Sequence, residues 1–201
     1  MTAKAEQKQR THGSILESAQ RLLRRRGIAG ASVADVMKGA GLTVGGFYAH
    51  FASKDKLIDE ALRRTASATR ARLFAKLADK PAVDRAEVVL KRYLSAAHRD
   101  EPDDGCPLPA VTGEIGTTAG EHRRALADVI DAFAGELEAH LPAPPAAQAA
   151  ARVPRRHLAL GLVALMYGGL SLARAARGTE LSDEILRACR SLGRLAARED
   201  P

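Results

Sequence analysis

The stretch SVADVMKGAGLTVGGFYAHFASKDKL, residues 32–57, decides the fold. Ser32 stands three residues before Asp35, an arrangement that starts a helix by giving an orphan N–H a side-chain oxygen. Val33, Val36 and Met37 follow at helical spacing. Ala40-Gly41 then stops the run after about two turns, Gly41 being free to take the left-handed conformation. Thr43 is placed to cap a third helix over about 44–50, and Ser53 a fourth that begins at Lys54. Two short helices around a tight glycine-containing turn make a helix-turn-helix. Val33, Val36, Met37, Ala40 and Leu42 face its core, and Phe47 and Phe51 continue that core. Val44, Gly45, Gly46, Tyr48, Ala49 and His50 face outward.

The helical period continues on both sides. Ile15, Ala19, Leu22 and Leu23 form one face of a first helix over about 8–26, ended by Gly27. Downstream, helices are expected over about 54–78, 83–99, 107–117, 121–140, 155–177 and 181–198. The breaks are Lys80-Pro81, the Pro-rich segment 101–105 and the Ala/Pro tract 142–154, read as a flexible surface connection. No stretch alternates over strand length and no internal repeat is visible. The expectation is an all-α chain of about nine helices, with a three-helix N-terminal domain over 1–57 and a second helical domain over 58–201.

Charge follows that division. Residues 1–57 carry ten Lys and Arg against four Asp and Glu, +6, whereas 58–201 carry 21 against 20, +1. A basic module joined to a near-neutral body suits a polyanion as partner. Hydrophobic residues at 46% exclude a disordered chain, and two cysteines exclude a disulfide scaffold. The opening MTAKAEQKQR has no apolar stretch, and the most apolar run, 158–173, is 16 residues long against the roughly 20 of a membrane span. A cytoplasmic protein without membrane contact is expected.

Ala40, Gly41, Leu42, Thr43, Gly45, Phe47, Tyr48, Phe51, Lys54 and Leu57 together resemble the DNA-binding signature of the tetracycline-repressor-type (TetR/AcrR) transcriptional regulators. The resemblance covers roughly residues 8–57 and implies a homodimeric repressor that leaves a palindromic double-stranded operator when its C-terminal domain senses a small molecule or reactive chemical. It gives Tyr48 a phosphate contact. The residues themselves supply the other roles. Ser32 and Thr43 offer hydroxyls and helix-start N–H groups to phosphates. Gly45 and Gly46 allow close approach to the groove, and Val44 suits a thymine methyl. His50 can meet phosphate or a base edge, and Lys54 adds an ammonium at a helix N-terminus. The outward face lacks Arg, Asn, Gln and Lys. Specificity therefore falls to apolar contacts, His50, DNA shape, or an arm over 1–10 carrying Lys4, Lys8 and Arg10. His12-Gly13 is expected to fray the first helical turn, and Arg24-Arg25-Arg26 reads as a solvated helix end.

In the second domain, Gly161, Ala164, Gly168, Ser171 and Ala175 form a stripe of small residues that permits close approach of another helix. Leu158, Leu162, Leu165 and Leu172 form a bulky stripe expected to face the domain's own core. The last helix adds Leu181, Ile185, Ala188, Leu192 and Leu195. By resemblance these two helices pair with their copies in a four-helix bundle, with Gly161, Ala164, Gly168, Ser171, Ala175, Ile185 and Leu192 at the interface. The resemblance also implies an effector pocket, for which Phe74, Tyr93, Cys106, Leu108, Val111, Ile115, Phe133 and Tyr167 are the candidates. Cys106 opens a helix, where a thiolate is favoured, while Asp103, Asp104 and Glu114 oppose ionisation. Cys189 reads as packing. Six histidines without HxxxH or HExxH spacing, and no phosphate loop, point to no cofactor, no metal and no catalytic set. The contrasting readings are an enzyme with Cys106 as nucleophile, and a basic helical binder of RNA or a membrane surface.

Overall fold

The computed structural model describes residues 2–142 and 153–198. Most of the Ala/Pro tract expected as a flexible connection therefore lies outside the described residues. The chain forms two compact units. One is the chain up to Ala68 with Gly105–Asp128; the other is Thr69–Asp104 with the chain from Val129 onward.

The first unit holds α1 (Ala3–Arg26), α2 (Val33–Gly39), a 3₁₀ segment (Val44–Ala49) and the first part of α3 (Lys54–Phe74). It also holds α6 (Leu108–Thr117), a 3₁₀ turn (Gly120–His122) and the start of α7 (Arg123–His140). Ile15, Leu16, Ala19 and Leu23 of α1 are buried with Val36, Met37, Phe47, Leu57 and Ile58. Gly39 lets α2 lie close on α1, since a Cβ there would stand 2.3 Å from Ser18 Oγ. Ser32 caps α2 as expected: Asp35 N–H donates to Ser32 Oγ at 3.0 Å, and that hydroxyl donates to Asp35 Oδ2 at 2.6 Å. Gly27 and Gly41 end their helices at φ +69° and +72°, where a side chain is strained.

Two expectations at the N-terminus are corrected. The helix begins at Ala3, not at about residue 8, so from Ala3 onward the arm over 1–10 is a helical extension of α1. It runs unbroken through His12-Gly13, because the His12 ring stacks on Phe51 at 4.4 Å and its Nε2 lies 3.1 Å from Glu60 Oε1. Tertiary contacts outweigh the weak local propensity.

The second unit holds the end of α3, α4 (Ala82–Tyr93), α5 (Ala96–Asp100), most of α7, α8 (Arg155–Ala175) and α9 (Glu180–Arg198). The expected 54–78 helix ends at Phe74, where Arg92 Nη1 takes the carbonyls of Leu73 and Ala75 and Lys76 adopts φ 57°. The expected 83–99 helix is split, since Leu94 leaves helical geometry and Ser95 caps a new helix by accepting from His98 N–H at 3.1 Å. Residues 120–122 are 3₁₀ ahead of α7.

α8 packs on α9 and α4 through close helix crossings. A Cβ on Gly169 would stand 2.7 Å from Cys189 Sγ, and one on Gly193 would stand 2.8 Å from Leu90. The core stripe of α8 is thus Ala159, Leu162, Val163, Met166, Gly169, Leu170 and Ala173. This corrects the bulky stripe: of Leu158, Leu162, Leu165 and Leu172 only Leu162 is buried, and Leu172 is 61% exposed. Where helices cross closely, glycine and alanine take the tightest contact positions, and Leu172 falls outside the crossing. At 21 residues α8 is also long and apolar enough, by length and composition alone, to cross a membrane, longer than the 16-residue run suggested.

Candidate functional site

The segment between α2 and α3 turns Phe47 and Phe51 in, and Tyr48 and its small residues out. Phe47 is fully buried, edge-on to Tyr48 and stacked on Phe51 at 5.8 Å. Anchoring by Phe47 leaves Tyr48 73% exposed beside exposed Thr43, Val44, Gly45 and Gly46. The segment is 3₁₀, not the expected α-helix, with Gly46 N–H donating to Thr43 O and His50 N–H to Phe47 O. Two adjacent glycines cost roughly 1 kcal/mol each in α-propensity, and six residues are too few to recover it. Thr43 makes no side-chain cap bond, contrary to expectation, so its hydroxyl remains on the surface.

Neither glycine is demanded by the fold. A Cβ on Gly45 would meet nothing within 4 Å, and one on Gly46 only Met37 Cε at 3.8 Å. Positive φ among glycines is confined to Gly27, Gly41 and Gly178 among the described residues. Bare backbone at these two positions leaves the surface open to close approach from outside the chain.

Basic groups flank this surface. Lys4 and Lys8 on α1, with Ala49 and His50, border a groove of about 680 Å³. His50 is held below the ordinary imidazole range, first by burial and then by His12 and Lys8. Its Nδ1 is buried without a partner among the described residues. Lys54 Nζ donates to Ile28 O at 3.3 Å, which holds the ammonium at the start of α3. Ser32 is half-buried and committed to its cap.

Two family models match the chain. Residues 15–61 match bacterial regulatory proteins of the tetR family, and residues 82–189 match the tetracyclin repressor-like C-terminal domain. The chain belongs to the TetR family. Among curated relatives, the HTH-type transcriptional repressor KstR2 of Mycobacterium tuberculosis is 43% identical over 51 residues, 25% of this chain and 26% of that protein. The HTH-type transcriptional regulator TtgR of Pseudomonas putida is 39% identical over 57 residues, 28% of this chain and 27% of its own. The chain thus spans about a quarter of the length of these curated relatives. A TetR transcriptional regulator from Chloroflexus aurantiacus superposes with a TM-score of 0.77 at 25% identity, covering 97% of this chain and 98% of that one.

In this TetR-family chain the eight expected effector residues fall into separate groups. Phe74, Tyr93 and Phe133 form one buried aromatic cluster in the second unit, with Phe74 edge-on to Phe133 at 5.7 Å and Tyr93 6.0 Å from Phe133. Tyr167 is half-buried on α8. Cys106, Leu108, Val111 and Ile115 are buried in the first unit. The depth of Cys106 denies it the access a nucleophile requires.

The second unit also contains a cavity of about 280 Å³ that periodicity did not reveal. Thr69, Arg72, Leu73, Arg92, Ser95, Ala97, His98, Glu101 and Asp104 line it. His98 Nδ1 donates to Tyr93 O at 2.7 Å, and its ring stands edge-on to Tyr93 at 4.7 Å. Burial is the main cause that lowers its pKa to about 4, so the ring is neutral near pH 7. Seven of its nine lining residues are polar or charged types, which leave no trace in apolar periodicity; the Ser95 cap next to His98 is the signal the sequence carries.

The small stripe of α8 is open. Gly161, Ala164 and Ala175 are exposed, Gly168 and Ser171 half-buried, and a Cβ on Gly161 or Gly168 would meet nothing within 4 Å. On α9, Ile185 is half-buried, while Leu192 and Leu195 are 57% and 66% exposed; Leu172 of α8 is exposed as well.

Proposed function

We propose that this chain is a homodimeric TetR-type transcriptional regulator, a repressor that leaves a palindromic operator when a small molecule or chemical signal occupies its second unit. The single observation that carries the reading is the exposed 3₁₀ segment whose two glycines the fold itself does not require. Val44, Gly45 and Gly46 meet the major groove, and Tyr48, Thr43, His50 and Lys54 meet its rim and phosphates. Lys4 and Lys8 continue the phosphate track along α1. Binding then rests on backbone proximity and charge, and sequence preference on apolar contact and DNA shape. Such a protein works in the cytoplasm, where its DNA is.

The open faces of α8 and α9 support dimerisation. Exposed leucines beside a stripe of small residues suit two copies packed as a four-helix bundle, with Gly161, Ala164, Gly168, Ser171, Ala175, Ile185 and Leu192 at its centre. A two-fold axis sets two reading segments on half-sites about one helical turn, ~34 Å, apart. For the effector we assign the cavity beside His98, which Tyr93 adjoins, in place of an oxidant sensor at buried Cys106. Effector binding shifts the dimer toward a state whose two segments no longer match successive grooves.

Fluorescence anisotropy on duplexes from the DNA flanking the gene tests the reading. Preference for an inverted repeat, with affinity falling steeply as salt rises, is expected. Equal affinity for a scrambled duplex, or no salt dependence, would overturn it.

A further inference from the structure

Within the first unit, His122 converges with two carboxylates that no feature of the proposed DNA contact uses. One ligand atom from each of Asp55, Glu121 and His122 lies within 4.8 Å of the others. His122 is 1% exposed, whereas Asp55 and Glu121 are on the surface. His122 Nδ1 lies 2.8 Å from Asp59 Oδ1. A carboxylate oxygen only accepts, so the ring donates from Nδ1 and Nε2 is the nitrogen that faces Glu121. Nε2 has no hydrogen bond among the described residues; Glu121 Oε1 stands 3.8 Å away, too far for one. With Nδ1 held by Asp59, Nε2 and the two carboxylates form a set of ligand atoms suited to a positive centre, either a cation or a proton on Nε2.

We propose that His122 Nε2, Asp55 and Glu121 bind a divalent transition cation of the zinc or manganese class, with Asp59 as the positioning residue. One imidazole and two carboxylates form a mixed nitrogen and oxygen set suited to such ions, and three protein ligands leave the remaining positions to water. Two carboxylates neutralise the charge of the ion. Asp59 supplies the outer-shell carboxylate that fixes the tautomer and orientation of a ligating histidine. Around an ion held at ~2.1 Å, ligand atoms sit roughly 3–3.4 Å apart. Asp55 and Glu121 have the rotamer freedom to close that gap, while His122 is held in place. The ion would tie the first turn of α3 to the turn that precedes α7.

Isothermal titration calorimetry of the full, untagged and chelator-stripped chain with zinc chloride and then manganese chloride tests this. One ion per chain is expected, bound roughly tenfold or more weakly by Asp55→Asn, Glu121→Gln and Asp59→Asn. Asp55 and Glu121 are exposed, so these two variants should keep the parent melting curve and need no substitution of buried His122. Absence of saturable binding overturns the proposal. So does binding left unchanged in both Asp55→Asn and Glu121→Gln, which would assign the ion to other histidines. The competing occupant is a proton: an imidazole resonance of His122 that does not move on zinc addition also overturns the proposal.

Discussion

Replacing Glu114 by Ala removes the carboxylate clamp that ties α6 to the loop ahead of the helix-turn-helix. Its carboxylate accepts from Ile28 N–H at 2.9 Å and from Ala29 N–H at 2.7 Å. Hydrogen bonds to a charged group contribute about 1.5–3 kcal/mol each, and loss is costliest where the donor stays buried. Ile28 is buried and Ala29 exposed, so the second donor recovers water and the first does not. About 2–3 kcal/mol is expected for the pair. A 201-residue chain unfolding with ~2.1 cal/mol/K per residue loses ~0.4 kcal/mol for each degree, so Tm should fall by roughly 5–7 °C. Gly27 provides the internal control. A Cβ there would stand 1.8 Å from Glu114 Oε1, at φ +69°. Gly27→Ala must therefore expel the carboxylate and also bear about 1–3 kcal/mol of backbone strain. The double variant should cost no more than Gly27→Ala alone. Urea unfolding followed by circular dichroism measures all four corners of the cycle. Costs that add within about 0.5 kcal/mol would refute the clamp.

Tyr48→Phe should weaken operator binding by about 1 kcal/mol per protomer, roughly thirtyfold for a dimer, with stability unchanged. Lys54→Ala should lower the slope of log affinity against log salt by about 1 per protomer; anisotropy reads both, and parent-like binding removes the phosphate roles. Gly168→Leu should disrupt the dimer while the monomer stays folded, since a Cβ there meets nothing within 4 Å; a dimeric variant by light scattering refutes the small stripe. For pH, folding lowers the His98 pKa from 6.5 to about 4, so on acidification the unfolded chain takes up its proton first. Stability is therefore intact above 6.5 and lost as pH falls toward 4. Between pH 7 and 5 the parent should lose about 2 kcal/mol more than His98→Gln, at about 1.4 kcal/mol per pH unit. Parallel urea midpoints would contradict that burial.

Local chemistry made the first quarter of the chain legible. The Ser32 cap, the left-handed Gly41 and the buried Phe47 and Phe51 all act within a few residues of one another, where spacing is a direct physical statement. The 3₁₀ form of Val44–Ala49 was less so, because two glycines weaken a helix without saying what replaces it. The bulky stripe misled for a different reason. α8 lies between close neighbours, and Gly169 and Ala173, not Leu172, fit the space there. Contacts across long sequence separations, such as Glu114 with Ile28 or Asp59 with His122, leave no periodic trace at all. The cavity beside His98 escaped because most of its lining residues are polar or charged types and come from separate elements.

The open space at Gly45 separates two quantities that proteins usually trade against each other. A residue added there displaces nothing inside the chain, and almost any choice improves local propensity over glycine. On the proposed reading, operator preference can therefore drift by single substitutions without passing through poorly folded intermediates. The same scaffold could be re-addressed to a new half-site by changing a surface on which its packing does not depend.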